Sequence, residues 1–362
     1  MLAAFVAWHL KLGFSRIFLY FDDPDDAGIA FAKRLRREAK ARGHGGDALI
    51  IVPCNSQLRS EWRSLQTASR FGSDDISAVE HHVEVRQLLN CEHCLRKAHA
   101  DGDIDWLLHI DSDELFFIDD LDAAAHFGRL SSHKCVSFRY PIHEGCPEQV
   151  DSSNVFESVT LFRRHTATLE KTILDAGGDK HAAASALDYW RHDGRRYNLG
   201  SAQGKSACRV LPGALPLSVH AFAPPEPGMM SKCFAGFADT QDAIGENAVV
   251  VSPMGNPCIL HYISCDFTFW WRKYELLGNF SLCKPGGAAV GGVVEADSFH
   301  AESRTLVDSG KADKAAARKV YERSVCLLDA AEAERQVASL LCARITAVRE
   351  ALQSEPRWPG LE

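Results

Sequence analysis

The chain has 362 residues, 46% of them apolar, enough to build one large α/β domain or two ordinary ones. Its formal charge of -8, with no basic stripe interleaved with aromatics, gives no reason to expect nucleic acid or an anionic membrane as a partner. No apolar run is long enough to span a bilayer, and MLAAFVAWHL turns polar too soon for a signal peptide. The chain as it stands reads as cytoplasmic, with a Golgi or membrane-anchored location expected if an N-terminal segment is missing.

In chain order, a helix is expected over FVAWHLKLG, then a strand RIFLYF, an Asp-rich turn DDPDDAG, a helix AFAKRLRREAKARG and a strand ALIIVPC. This βα rhythm predicts an α/β fold with a mainly parallel sheet flanked by helices. The polar span 55–75 reads as a loop or short helix. It is followed by a helical stretch, EHHVEVRQLLNCEHCLRKAHADG, ending at Gly102. Within it Cys91 and Cys94, near His93 and His99, have the look of half a zinc site, but no second ligand pair follows at finger-like spacing, so no zinc and no local disulfide are expected. The twelve cysteines are spread without the dense spacing of a disulfide scaffold. After Leu130 the expected strands are scattered, KCVSFRYPI, SVTLFRR, SACRVLP and CILHYIS, between Gly/Pro-rich loops such as APPEPG and KPGGAAVGG. Residues 1–301 are read as one domain, with a first half over 1–130 and a second over 131–301, and 302–362 as a packed helical extension.

One stretch breaks the apolar pattern. DWLLHIDSDELFFID sets Asp111, Asp113 and Glu114 at the end of a run, Trp106 to Ile110, that otherwise has the character of a buried strand. Carboxylates so placed need a compensating cation. Asp-x-Asp at a strand end suits a hard divalent ion, Mn²⁺ or Mg²⁺, which also takes oxygens from a substrate diphosphate. The edge at the C-terminal ends of the strands is where open α/β sheets bind ligands.

The segments FVAWHLKLGFSRIFLYFDDPDD, EVRQLLNCEHCLRKA, DWLLHIDSDELFF, PIHEGCPE, GKSACRV, VHAF, ILHYISCDFTFWWRKY and FHAESR follow one another in an order that resembles glycosyltransferases of the family 92 and family 2-like group. Together they cover most of residues 3–304. The most specific are the Trp8-His9 helix, the WLLHIDSDE strand and the late His-Tyr followed by aromatics and Lys273. The resemblance implies a GT-A fold, a nucleotide-sugar donor, a glycan or other carbohydrate hydroxyl as acceptor, and metal-dependent transfer with inversion. The family's first strand, which carries an Asn-Glu pair, precedes the Trp-His helix and is expected to be missing here.

Carried over residue by residue, the resemblance makes Asp111 and Asp113 the ligands of a cation shared with the donor phosphates, with His261 completing the metal shell and His220 a weaker candidate. Glu114 fixes the loop or binds sugar hydroxyls. Asp22 and Asp23 approach the nucleotide, although Asp-Asp-Pro-Asp is also a strong turn sequence. Lys205 and Arg209 are placed to neutralise phosphates. The general base expected of an inverting enzyme is assigned to Glu144, in a loop after the Asp-x-Asp strand, with Asp193 and Asp266 as rivals. Trp270, Trp271 and Tyr274 read mostly as core at helical spacing with stacking on a sugar as the alternative, and Phe299, His300 and Arg304 as lining the acceptor side. Two other functions remain open: a metal-dependent phosphoesterase or nucleotidyltransferase, and a non-catalytic carbohydrate-binding relative of a transferase.

Overall fold

The computed structural model describes residues 1–71, 82–133, 135–181, 184–185, 204–226, 229–233, 257–276, 303, 305–308, 313–354 and 357–359. They form a mixed α/β fold. Helix Leu2–Lys11 leads into β1 (Ile17–Phe21), and helix Gly28–Ala41 carries the chain to β2 (Leu49–Pro53), parallel to β1 in register from Ile17 opposite Leu49 to Phe21 opposite Pro53. The crossover helix buries Ala32, Leu35 and Ala39, one stripe at helical spacing, and turns its Lys and Arg residues outward.

Beyond Pro53 the rhythm changes. Helix Val83–Asp101 ends at Gly102, whose φ of 75° supplies the left-handed stop expected of that glycine, and leads to β3 (Trp106–Leu108) and β4 (Glu114–Phe117). Then come β5 (Cys135–Tyr140), β6 (Ile142–Gly145), β7 (Leu161–Arg163), β8 (Lys205–Arg209), β9 (Leu215–Ser218), β10 (Ala221–Ala223), β11 (Met230–Cys233), β12 (Cys258–His261) and β13 (Cys342–Arg344). One sheet runs β11-β5-β8-β3 and another β13-β7-β6-β12-β4, with β1-β2 and β9-β10 as separate pairs.

Among the described residues six of the nine pairings are antiparallel, so the mainly parallel sheet expected from the opening rhythm is seen only in the β1-β2 unit and two further pairs. Most antiparallel partners are distant in sequence, as β4 is from β12 and β3 from β8, so their direction is set by the tertiary arrangement and not by a short connection. Pro141, which has no N–H to give to a ladder, passes the chain from β5 in one sheet to β6 in the other.

The free edge of β4 is closed by side chains. Trp8 Nε1 donates to the Phe116 carbonyl at 2.8 Å, and the Phe116 N–H donates to His9 Nε2 at 3.3 Å. The other ring nitrogen of His9, Nδ1, donates to the Phe5 carbonyl at 2.8 Å. The Trp-His pair therefore satisfies both outward backbone groups of an edge residue.

The C-terminal segment is helical over Lys314–Ser324, Ala330–Ala338 and Ala347–Ser354, the first two capped by Asp313 and Asp329. It also contributes β13, an edge strand antiparallel to β7, which was not expected from its composition. Val348, Ala351, Leu352 and Trp358 join the same core as Trp8, Phe116 and Leu260. In helix Val83–Asp101, Cys91 packs with Leu95, Cys208 and Phe222, and His93 bridges Tyr20 Oη at 2.7 Å and Glu61 at 3.1 Å. No helix among the described residues is long and apolar enough to cross a membrane.

Candidate functional site

The acids of DSDE sit in a turn between two strands. β3 ends at Leu108, the chain reverses over Asp111–Asp113, and β4 starts at Glu114. The turn is closed twice: the Glu114 N–H donates to the Asp111 carbonyl at 3.1 Å, and the Asp111 N–H donates to Glu114 Oε2 at 2.8 Å. Glu114 thus fixes the loop, one of its two expected roles.

Strand pairing delivers the other groups. β8 runs antiparallel to β3, so its first residue, Lys205, lies beside the end of β3. Its Nζ donates to Asp111 Oδ2 at 2.7 Å and stands 3.3 Å from Glu114 Oε2. Gly204 makes this approach possible: its φ is +68°, and a Cβ there would fall 2.2 Å from the Tyr140 carbonyl oxygen.

On the other side β12 lies between β4 and β6, with His261 in register opposite both Glu114 and Glu144. His261 Nδ1 is 3.1 Å and 2.9 Å from the two Glu144 oxygens, and Nε2 is 3.8 Å from Asp113 Oδ2. Helix Phe267–Leu276 then returns Lys273, whose Nζ donates to Asp113 Oδ2 at 2.7 Å. Five strand ends and one helix thus bring Asp111, Asp113, Glu114, Glu144, Lys205, His261 and Lys273 into one cluster of alternating charge.

Helix Val83–Asp101 joins this cluster to the end of β1. In its first turns Gln87 Nε2 donates to Asp111 Oδ1 at 2.8 Å, while Arg86 grips both oxygens of Asp22 at 2.6 and 2.5 Å. Neither residue was singled out from sequence. The available signal was positional: a helix that precedes a strand in a βα unit begins at the sheet's ligand-binding edge, and Arg86 and Gln87 are polar between the buried Val85 and Leu88. Asp23 does not join them. Its carboxylate accepts from the Asp25 N–H at 2.9 Å, which is turn chemistry.

The electrostatics follow the geometry. Burial pushes Asp111 and Asp113 upward, but Lys205 and Lys273 respectively outweigh it and hold both carboxyls below their usual range. Burial lifts Glu114 to about 7. Burial pushes His261 down, yet Glu144 and Asp113 prevail and raise it to about 10, so it is an imidazolium at neutral pH.

That charge balance bears on the expected metal. Both oxygens of Asp111 already accept from Gln87 and Lys205, and Asp113 Oδ2 accepts from Lys273 with His261 Nε2 3.8 Å from the same oxygen. A divalent ion would meet two ammonium groups on the carboxylate oxygens it would need to bind. The donor set as it stands does not fit Mn²⁺ or Mg²⁺.

Other expectations change with position. Glu144 is not in a loop but on β6, buried beneath His261. Asp266 caps the helix of Lys273, accepting from the Ser152 and Phe269 N–H groups at 2.8 Å each. His220 binds the Gly204 carbonyl through Nδ1 at 2.7 Å, and burial holds it neutral with a pKa of about 3. Arg209 lies at the far end of β8, opposite Trp106. Trp270, Trp271 and Tyr274 are core, packed with Tyr321 and Val307, the main reading of that stretch. Asp193, Phe299, His300 and Arg304 lie outside the described residues. A polar hollow of about 340 Å³, lined by Gln149, Ser152, Asn154, Glu157 and Arg349, contains none of the cluster. No family profile, curated protein or solved structure matches this chain.

Proposed function

We propose that the chain is a GT-A-type glycosyltransferase of the family 92 and family 2-like group, moving a sugar from a nucleotide-sugar donor to a hydroxyl of a glycan or other carbohydrate, with inversion. The observation that carries this reading is the convergence of Asp111 and Asp113 with Glu144, Lys205, His261 and Lys273 from five separate elements of the chain. Such a cluster at strand ends is suited to hold a charged, polyhydroxylated ligand. Carboxylates accept from sugar or ribose hydroxyls, and ammonium groups take up the negative charge that develops on a departing nucleoside diphosphate. Lys273 is the cation placed for that second task, because a quarter of its side chain is open to solvent whereas Lys205 is enclosed.

Glu144 acts through His261 in this scheme. His261 Nδ1 lies 3.1 and 2.9 Å from its two oxygens, which keeps the ring aimed at Asp113 and leaves the carboxylate facing the ring. Asp22, held by Arg86, is placed to meet the nucleoside end of the donor.

The test is release of nucleoside diphosphate from a panel of UDP- and GDP-sugars by the wild type and by Asp113→Asn. Release by the wild type and its loss by at least about a hundredfold in the variant is the expected result. Release of inorganic phosphate instead would favour a phosphoesterase, and binding without any release a carbohydrate-binding protein.

A further inference from the structure

The two carboxylates of the Asp-x-Asp turn are each held by a lysine from a different element, and the two lysines are not equivalent. Lys205 contacts both Asp111 and Glu114, at 2.7 and 3.3 Å, and its side chain is 3% exposed. It is enclosed and has nowhere else to go. Lys273 contacts Asp113 at 2.7 Å and is 23% exposed. Its backbone is fixed: the helix is capped by Asp266, and the neighbouring Trp270 and Tyr274 are fully buried against Tyr321. The flexible stem of a lysine on a fixed helix can turn its ammonium between Asp113 and an anion arriving from solvent.

We propose that Lys273 occupies the place of the divalent ion at this turn, neutralising Asp113 in the free protein and moving to the diphosphate when a nucleotide binds, so that nucleotide binding needs no divalent metal. The nucleotide part rests on the transferase reading, whereas the metal part stands without it. Two observations converge on it: the Lys273 ammonium already sits on Asp113 Oδ2, and the His261 ring, 3.8 Å from that same oxygen, crowds the place a cation would take there. A second ammonium on Asp111 removes the other half of a bridging site. Inserting a dication among these groups adds like-charge repulsion in a largely buried place.

Titration calorimetry with UDP and GDP, in EDTA and in excess Mn²⁺, on the wild type and Lys273→Met decides it, with Mn²⁺ alone titrated into both proteins. Expected are affinities that agree within about twofold between EDTA and Mn²⁺ for the wild type, a loss of at least about tenfold in Lys273→Met, and Mn²⁺ heat only in the variant, where Asp113 has lost its ammonium. Wild-type binding that appears only with Mn²⁺ overturns the inference and leaves the transferase reading intact. If neither nucleotide binds under any condition, the transferase reading fails at its donor. The nucleotide part of the inference then fails too, and the Mn²⁺ titration of the wild type decides the metal part alone: heat of binding overturns it, and its absence upholds it, whether or not Lys273→Met folds.

Discussion

Lys205 shows how far a single residue can be over-determined. The sequence places it before a strand in GKSACR, and only the register of β8 against β3 shows that it must lie beside Asp111 and Glu114. Removing it leaves Glu114 enclosed beside Asp111 without its cation. Lys205→Met is therefore expected to cost about 3 kcal/mol in unfolding free energy, the usual scale for breaking a buried pair, and adding Glu114→Gln to recover part of it. Denaturant titration of both variants measures this. A single variant as stable as the wild type would mean that the ammonium is not what holds the turn. The sequence made these acids legible because carboxylates stand out in an apolar run. Their cations were not, because Lys273 is separated from Asp113 by 160 residues and is one basic residue among 40.

Among the elements, helix Leu2–Lys11 illustrates a motif whose presence was readable and whose purpose was not. Trp8 and His9 stand out in sequence, yet their task depends on β4 being an edge strand, which follows only from the sheet order. Trp8→Phe keeps the buried ring but drops the bond to the Phe116 carbonyl, leaving that group unsatisfied. A loss of about 1–2 kcal/mol is expected by denaturant titration, with faster amide exchange along β4. Unchanged stability and exchange would show that water or another group takes over the edge. The βα rhythm was legible as far as Pro53 because a helical period of apolar residues separates the two strands. Beyond it, strands of three to six residues are too short for a periodic pattern and carry no sign of pairing direction. Glu144 was read as a loop residue for the same reason: IHEG lies between Pro141 and Pro147, and its strand exists only because β12 and β7 pair with it.

For the whole molecule, the buried histidines set the response to pH. Burial pushes His9, His109 and His126 down to about 4 and His220 to about 3, against an ordinary value of 6.5. Between about pH 4 and 6.5 the unfolded chain therefore binds protons that the folded protein refuses, and stability falls on acidification. Glu114 works the other way, since its carboxyl is raised to about 7 and its contribution, full below 4.5, is lost as pH rises through that value. His261 is also raised, to about 10, so its contribution is full below 6.5 and disappears as pH climbs through about 10. Four histidines against one carboxyl leave a net loss on the acid side, and the unfolding free energy should peak near neutrality. Denaturant titration across this range measures the curve, and stability that rises steadily on acidification from 6.5 would contradict the buried, neutral histidines. The claim on which the functional account rests is that the Asp111–Asp113 turn, with Lys273 beside it, is where a nucleotide sugar binds. Crystals of the protein grown with a UDP- or GDP-sugar test it most directly. The diphosphate is expected within hydrogen-bonding distance of Lys273 Nζ, and the ribose or base toward Asp22 and Arg86. A nucleotide bound away from this turn, with Lys273 still on Asp113, would contradict it.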